Sequence, residues 1–137
     1  MVKKINHIGI AVSNLEESID LFKRLFNVKE FHIETVENQK VRIASFIIGD
    51  VLIELTAPTE EDSPISKFLE KRGEGIHHIA FEVDNIRNEL DRLKNQGITL
   101  INEEPVEGAH NMEIAFIHPK STKGVLIEYC QKKGNYV

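Results

Sequence analysis

From Ile5 to Val12 apolar residues alternate with small or polar ones, the period-two pattern of a strand. Ile8, Ile10 and Val12 share one face, and His7, Gly9 and Ala11 share the other. The histidine face carries little bulk, as expected where a strand lines a cavity. Ser13-Asn14-Leu15-Glu16 reads as a capping box, with Ser13 as N-cap and Glu16 at N3. Leu15, Ile19, Phe22 and Phe26 then recur at helical spacing and form a core-facing stripe. Two strand-like runs follow, Val28 to Val36 and Lys40 to Ile48, broken by the polar Glu37-Asn38-Gln39. Gly49-Asp50 makes a tight turn into a third run, Val51 to Thr56. The first part of the chain therefore reads β-α-β-β-β.

The same order returns further on. Ala57-Pro58-Thr59-Glu60-Glu61-Asp62 is a polar linker, and Ser63-Pro64 opens a short helix through Ile65, Phe68 and Leu69 that Gly73 and Gly75 end. His77 to Val83 reads as a strand, and Asn85 to Gln96 as a helix with Ile86, Leu90 and Leu93 inward. Ile98 to Ile101, Met112 to Ile117 and Gly124 to Gln131 supply three more strands. Two sequence echoes support a tandem duplication. Val51-Leu52-Ile53-Glu54-Leu55 reappears as Val125-Leu126-Ile127-Glu128-Tyr129, and His7-Ile8-Gly9-Ile10-Ala11-Val12 as His78-Ile79-Ala80-Phe81-Glu82-Val83. The expected fold is α+β, a single domain over 1–137 built from two βαβββ modules whose sheets form a cupped, incomplete barrel. Module 1 spans about 1–58, the linker and short helix 59–75, module 2 76–131, and a polar tail 132–137.

Composition narrows the class. A chain of 137 residues with 41% hydrophobic and 28% charged content has the make-up of an ordinary globular domain. Each half alone, at roughly 65 residues, is marginal for burying a core, which points to shared interfaces and a homodimer. A net charge of -5 argues against nucleic acid as a partner. No apolar run approaches the ~20 residues of a membrane span, so no membrane is expected. Met1-Val2-Lys3-Lys4-Ile5-Asn6 lacks a secretory h-region, and the single Cys130 suits a reducing compartment; a cytoplasmic protein is expected. Cys130 reads as packing.

The chemistry lies in four polar intruders. Val51, Ile53 and Leu55 share one face of their strand, and Leu52 shares the other with Glu54. Both faces are apolar apart from Glu54, so the carboxylate is buried and needs a partner or a metal. Glu128 repeats the oddity, and His7 and His78 accompany the two glutamates at matched positions. His7, Glu54, His78 and Glu128 are therefore candidate ligands of one divalent transition metal. Two imidazoles and two carboxylates suit Co²⁺, Ni²⁺, Mn²⁺, Fe²⁺ or Zn²⁺ better than Ca²⁺ or Mg²⁺. Four protein ligands on a six-coordinate ion leave two positions open, as catalysis requires. The repeat register selects His78 over His77, which then falls in a second layer or on the surface. His32 has no counterpart in the repeat and reads as a surface residue. His110, in the loop Glu107 to Asn111, and Lys120 and Ser121, in the turn before the Glu128 strand, are candidate substrate contacts.

The His–Glu–His–Glu pattern on paired βαβββ modules resembles the vicinal oxygen chelate superfamily over essentially the whole chain. Asp62-Ser63-Pro64-Ile65 with Phe68-Leu69, Gly75-Ile76-His77-His78-Ile79, and His118-Pro119-Lys120-Ser121 with Gly124-Val125-Leu126-Ile127-Glu128 are similar to the methylmalonyl-CoA epimerase family. The resemblance implies an acyl-CoA substrate and R/S interconversion by α-proton abstraction through a metal-stabilised enolate. It implies Glu128 as the first acid/base group; Glu54 or a metal-bound water could serve as the second. One departure stands out. Some members carry a further glutamate on the strand matching Lys40 to Ile48, where Arg42 aligns and no carboxylate occurs. Glyoxalase I, which would use the same ligand set on a thiohemiacetal, is the alternative; a non-catalytic binding protein of the same fold is the third reading.

Overall fold

The structure, a computed structural model, describes residues 1–134. Its contacts divide into two compact units, His7–His77 and Met1–Asn6 with His78 onward.

In the first unit, β1 (Val2–Ala11, of which His7–Ala11 belong here) is followed by α1 (Leu15–Phe26), β2 (His32–Val36), β3 (Val41–Ile48), β4 (Val51–Pro58) and α2 (Pro64–Arg72). The strand order is β2-β3-β4-β1. β3 and β4 form an antiparallel hairpin in which Ile48 faces Val51 across Gly49-Asp50, and Gly49 adopts the left-handed φ of 59° that the turn needs. β1 runs parallel to β4. One sheet face is apolar: Val12, Leu15, Ala44, Leu55 and Ala57 are buried there, with Ile19 and Phe22 of α1 against them. Phe46 continues that layer among Phe22, Phe26 and Phe31, at centroid separations of 5.0 to 6.2 Å. With α1 on this face, the opposite one is left to His7, Gly9 and Glu54.

The second unit contains β5 (Gly75–Val83, from His78 on), α3 (Ile86–Asn95), β6 (Val106–Glu107), β7 (Met112–Ile117) and β8 (Ile127–Lys132). Its order is β5-β8-β7-β6, with the opening residues of β1 beside β5. α3 covers one face with Ile86, Leu90 and Leu93, packed on Val83, Ala115, Ile117 and Tyr129. Gln131 ties β8 to the start of that helix. Its Oε1 accepts from the Ile86 N–H (2.9 Å), and its Nε2 donates to the Asp84 carbonyl (2.9 Å). The expected α+β class and the repeated strand-helix-strands order are both present.

Several boundaries differ from expectation. Asn14, not Ser13, caps α1, accepting from the Glu17 N–H at 3.0 Å. The Ser13 N–H is instead taken by the Glu74 carboxylate, which leaves Ser13 one residue outside the helix. Asn85 caps α3 in the same way, so the repeated asparagine was the cap signal. The strand expected from Val28 starts only at His32, and the one expected from Gly124 starts at Ile127. Phe26 is exposed at the end of its stripe. Ile98–Ile101 is not a strand: it makes a single bridge, Leu100 to Ile117. The Asn102 side chain accepts the Phe116 N–H (2.8 Å), taking the hydrogen bond that would have continued a ladder. The short β6 occupies the edge in its place. Of the expected tail 132–137, Lys132 closes β8, and residues 135–137 lie outside the described residues. No helix among the described residues is long and apolar enough to cross a membrane.

Leu55 is fully buried. Leu55→Ala should therefore cost about 2–5 kcal/mol, read as a lowered urea midpoint at unchanged m-value.

Candidate metal and active site

The two glutamates sit in matching registers. In the first unit Gly9 is the ladder partner of Glu54, and His7 lies two residues before Gly9 on the same face. In the second, Ala80 is the partner of Glu128, and His78 lies two residues before Ala80. A small residue beside each glutamate leaves room for the imidazole to lean over it. The outcome is the same twice: His7 Nε2 stands 3.4 Å from Glu54 Oε1, and His78 Nε2 stands 3.4 Å from Glu128 Oε1. All four residues are buried, at 5% and 2% exposure in the first pair and 7% and 3% in the second.

The donor set fits a divalent transition ion. At 3.4 Å each contact is longer than an ordinary charge-assisted hydrogen bond. Two ligand atoms ~2.1 Å from one ion, at the angles of an octahedron or tetrahedron, lie about 3.0–3.4 Å apart. Each pair thus has the spacing of one edge of a coordination polyhedron. Burial raises the electrostatic cost of both carboxylates, and an ion of opposite charge would offset it.

The remaining predicted residues fall as follows. His77, next to His78, points to the other face and packs edge-on against Phe68 of α2 at 5.0 Å. It is half-buried, and burial pushes its imidazole down to about 4, so it is neutral at physiological pH. His110 is half-buried in the four-residue β6–β7 connection, Gly108 to Asn111, where it and Asn111 both take left-handed backbone (φ 57° and 56°). Lys120 is exposed. The Ser121 hydroxyl accepts from the Thr99 N–H (3.0 Å), which pins the turn to the segment after α3. Arg42 lies on the α1 side of β3, where its Nη1 donates to Glu16 Oε1 at 2.6 Å. The β3 residue directly across from Glu54 is Ser45. Sequence reasoning passed over Ser45, although the signal was present: the two-residue Gly49-Asp50 turn fixes the hairpin register and hence this pair. The equivalent residue across from Glu128 is Phe116, whose ring meets His78 edge-on at 5.6 Å.

With this geometry established, likeness to known proteins is informative. The chain belongs to the Glyoxalase/Bleomycin resistance protein/Dioxygenase superfamily, whose profile matches residues 6–116. Within that superfamily it is similar to methylmalonyl-CoA epimerases. The mitochondrial methylmalonyl-CoA epimerase of Dictyostelium discoideum is 38% identical, covering 96% of this chain and 80% of its own. A solved Streptomyces coelicolor methylmalonyl-CoA epimerase variant, in complex with 2-nitronate-propionyl-CoA, superposes with a TM-score of 0.93 at 33% identity, over 100% of this chain and 99% of that one. An uncharacterized Bacillus subtilis protein, YqjC, is 42% identical over 98% of this chain and 96% of its own. A lactoylglutathione lyase of Neisseria meningitidis is more distant, at 26% identity over 95% of this chain and 91% of its own.

Loss of a ligand should weaken ion binding more than the ~10–100-fold that loss of an outer partner costs. His78→Ala is therefore expected to abolish Co²⁺ binding in a calorimetric titration, while His77→Ala leaves it intact. Equal loss in both variants would overturn the register.

Proposed function

We propose that the protein interconverts the R and S epimers of methylmalonyl-CoA, with His7, Glu54, His78 and Glu128 holding one divalent transition metal. The reading is carried by the matched buried His–Glu pairs, in a chain that resembles a methylmalonyl-CoA epimerase along its full length. Co²⁺, Ni²⁺, Mn²⁺ and Zn²⁺ all suit the donor set. When bound, such an ion supplies Lewis acidity to the free carboxylate and the thioester carbonyl of the substrate.

The chain's own residues carry the proton chemistry. Glu128 takes the α-proton, and its burial keeps bulk water from competing for it. Inversion needs a second group that returns a proton to the opposite face of the α-carbon, and Glu54 is the carboxylate available in the other copy of the repeat. Ser121, whose hydroxyl oxygen already accepts from Thr99, has its own proton to donate to a substrate oxygen. Lys120, exposed beside it, offers a cation to the phosphates of the acyl carrier, and His110 a further polar contact.

A homodimer is favoured by apolar side chains left exposed in the first unit, Leu21, Leu25 and Phe26 on α1 and Ile47 and Ile48 at the end of β3. The single cysteine fits a cytoplasmic location.

Purified protein loaded with Co²⁺ is expected to exchange the α-proton of methylmalonyl-CoA for deuterium in D₂O, followed by NMR. Turnover of methylglyoxal with a small thiol, and no such exchange, would move the assignment to glyoxalase I. Binding of methylmalonyl-CoA with neither reaction would leave a non-catalytic protein. Sedimentation at micromolar concentration should show a dimer; a monomer refutes that part of the reading.

A further inference from the structure

Each glutamate stands in a row of directly paired residues, which share one sheet face. In the first unit the row runs Gly9, Glu54, Ser45 and the exposed His32. In the second it runs Ala80, Glu128 and Phe116. Small residue matches small residue and glutamate matches glutamate, so the copies first part company at Ser45 and Phe116.

The backbone of Phe116 is clamped from outside the row. Its N–H donates to Asn102 Oδ1 (2.8 Å), and its carbonyl accepts from the N–H groups of Ile101 (2.9 Å) and Asn102 (3.3 Å). Both polar groups therefore point away from β8. The Phe116–Glu128 pair is thus of the non-hydrogen-bonded kind, in which Cα atoms stand ~4.5 Å apart and side chains lie closer. From that place the Phe116 ring reaches His78. The two rings meet at 5.6 Å between centroids with planes at 87°, the perpendicular arrangement that ring quadrupoles favour. The same imidazole has Nε2 3.4 Å from Glu128 Oε1.

We propose that Phe116 is a positioning residue for His78: its ring, fixed in place by Asn102, holds the imidazole so that Nε2 faces Glu128. The inference rests on the metal-binding part of the function proposed above, and every residue it uses belongs to the second unit. Rotation of an imidazole about its Cβ–Cγ bond is soft, and a half-turn would carry Nε2 away from the carboxylate. A ring standing across the imidazole opposes that turn, so the ligand is oriented before an ion arrives and less ordering is required on binding.

Filling the core does not by itself account for Phe116. It is half-buried, whereas its β7 neighbours Ile114 and Ile117 are 5% and 3% exposed and supply the apolar packing on the two faces of the strand. The irregular path of Ile98–Ile101 acquires a role as well. A regular strand there would leave the Asn102 side chain no vacant N–H to accept, and that side chain is what ties Phe116 down.

Full-length Phe116→Leu keeps an apolar side chain and removes the ring. In a calorimetric titration it is expected to bind Co²⁺ about tenfold more weakly than wild type, the lower end of what an outer partner of a ligand contributes. Phe116→Tyr, which keeps a ring in place, should bind within about threefold of wild type. Asn102→Ala should weaken Co²⁺ binding in the same direction as Phe116→Leu. Ile117→Val, the next residue along and on the α3 face, is the packing control: its melting temperature falls while its Co²⁺ affinity stays. Should Phe116→Leu fail to fold, Phe116→Met puts the same question. Co²⁺ affinity within about threefold of wild type in the ring-less variant overturns the proposal, as does equal weakening in Phe116→Tyr or in Ile117→Val. Wild-type affinity in Asn102→Ala overturns the part given to Asn102. A wild-type protein that binds no Co²⁺ overturns the metal reading itself.

Discussion

Burial of a carboxylate in the middle of a strand is the constraint from which the rest follows. Glu54 and Glu128 are each nearly inaccessible to water, and a charge so placed destabilises the fold by several kcal/mol unless a partner compensates it. The neighbour is the same in both copies: an imidazole on the parallel adjoining strand, leaning past a glycine or an alanine, and the donor set so formed suits a cation. The helices pack on the other sheet face. α1 with Phe22 and Ile19, and α3 with Leu90 and Leu93, complete the apolar layers there and leave the His–Glu faces to chemistry.

The duplication explains why there are two such pairs, and its imperfections explain why they differ. Phe116 closes the row beside Glu128 with an aromatic ring against His78, whereas Ser45 leaves the row beside Glu54 small. Arg42, for its part, is held by Glu16 on the helix side of β3.

Local sequence signals did well where one interaction dominates. The Ser63 cap with Pro64 at N1, the Gly49-Asp50 turn and the stripe Ile86, Leu90, Leu93 are all as expected. They failed where neighbours compete for the same group. Ser13 had the right side chain to cap α1, yet its N–H answers to Glu74, from far along the chain, and Asn14 takes the cap. Ile98 to Ile101 had the composition of a strand, yet Asn102 takes the hydrogen bond on Phe116 that pairing would have required. Neither competitor is visible in a short window.

The sequence by itself determined the repeat, the choice of His78 over His77, and the identity of the buried glutamates, because strand alternation and a matched register need nothing beyond residue order. Beyond Ser45, which the hairpin turn already pairs with Glu54, tertiary structure decided what stands beside those glutamates. Phe116 and His32 come into their rows through pairing between separate strands, and the 3.4 Å between imidazole and carboxylate depends on how parallel neighbours are staggered. Those are distances between chain segments far apart in order, which only folding can set.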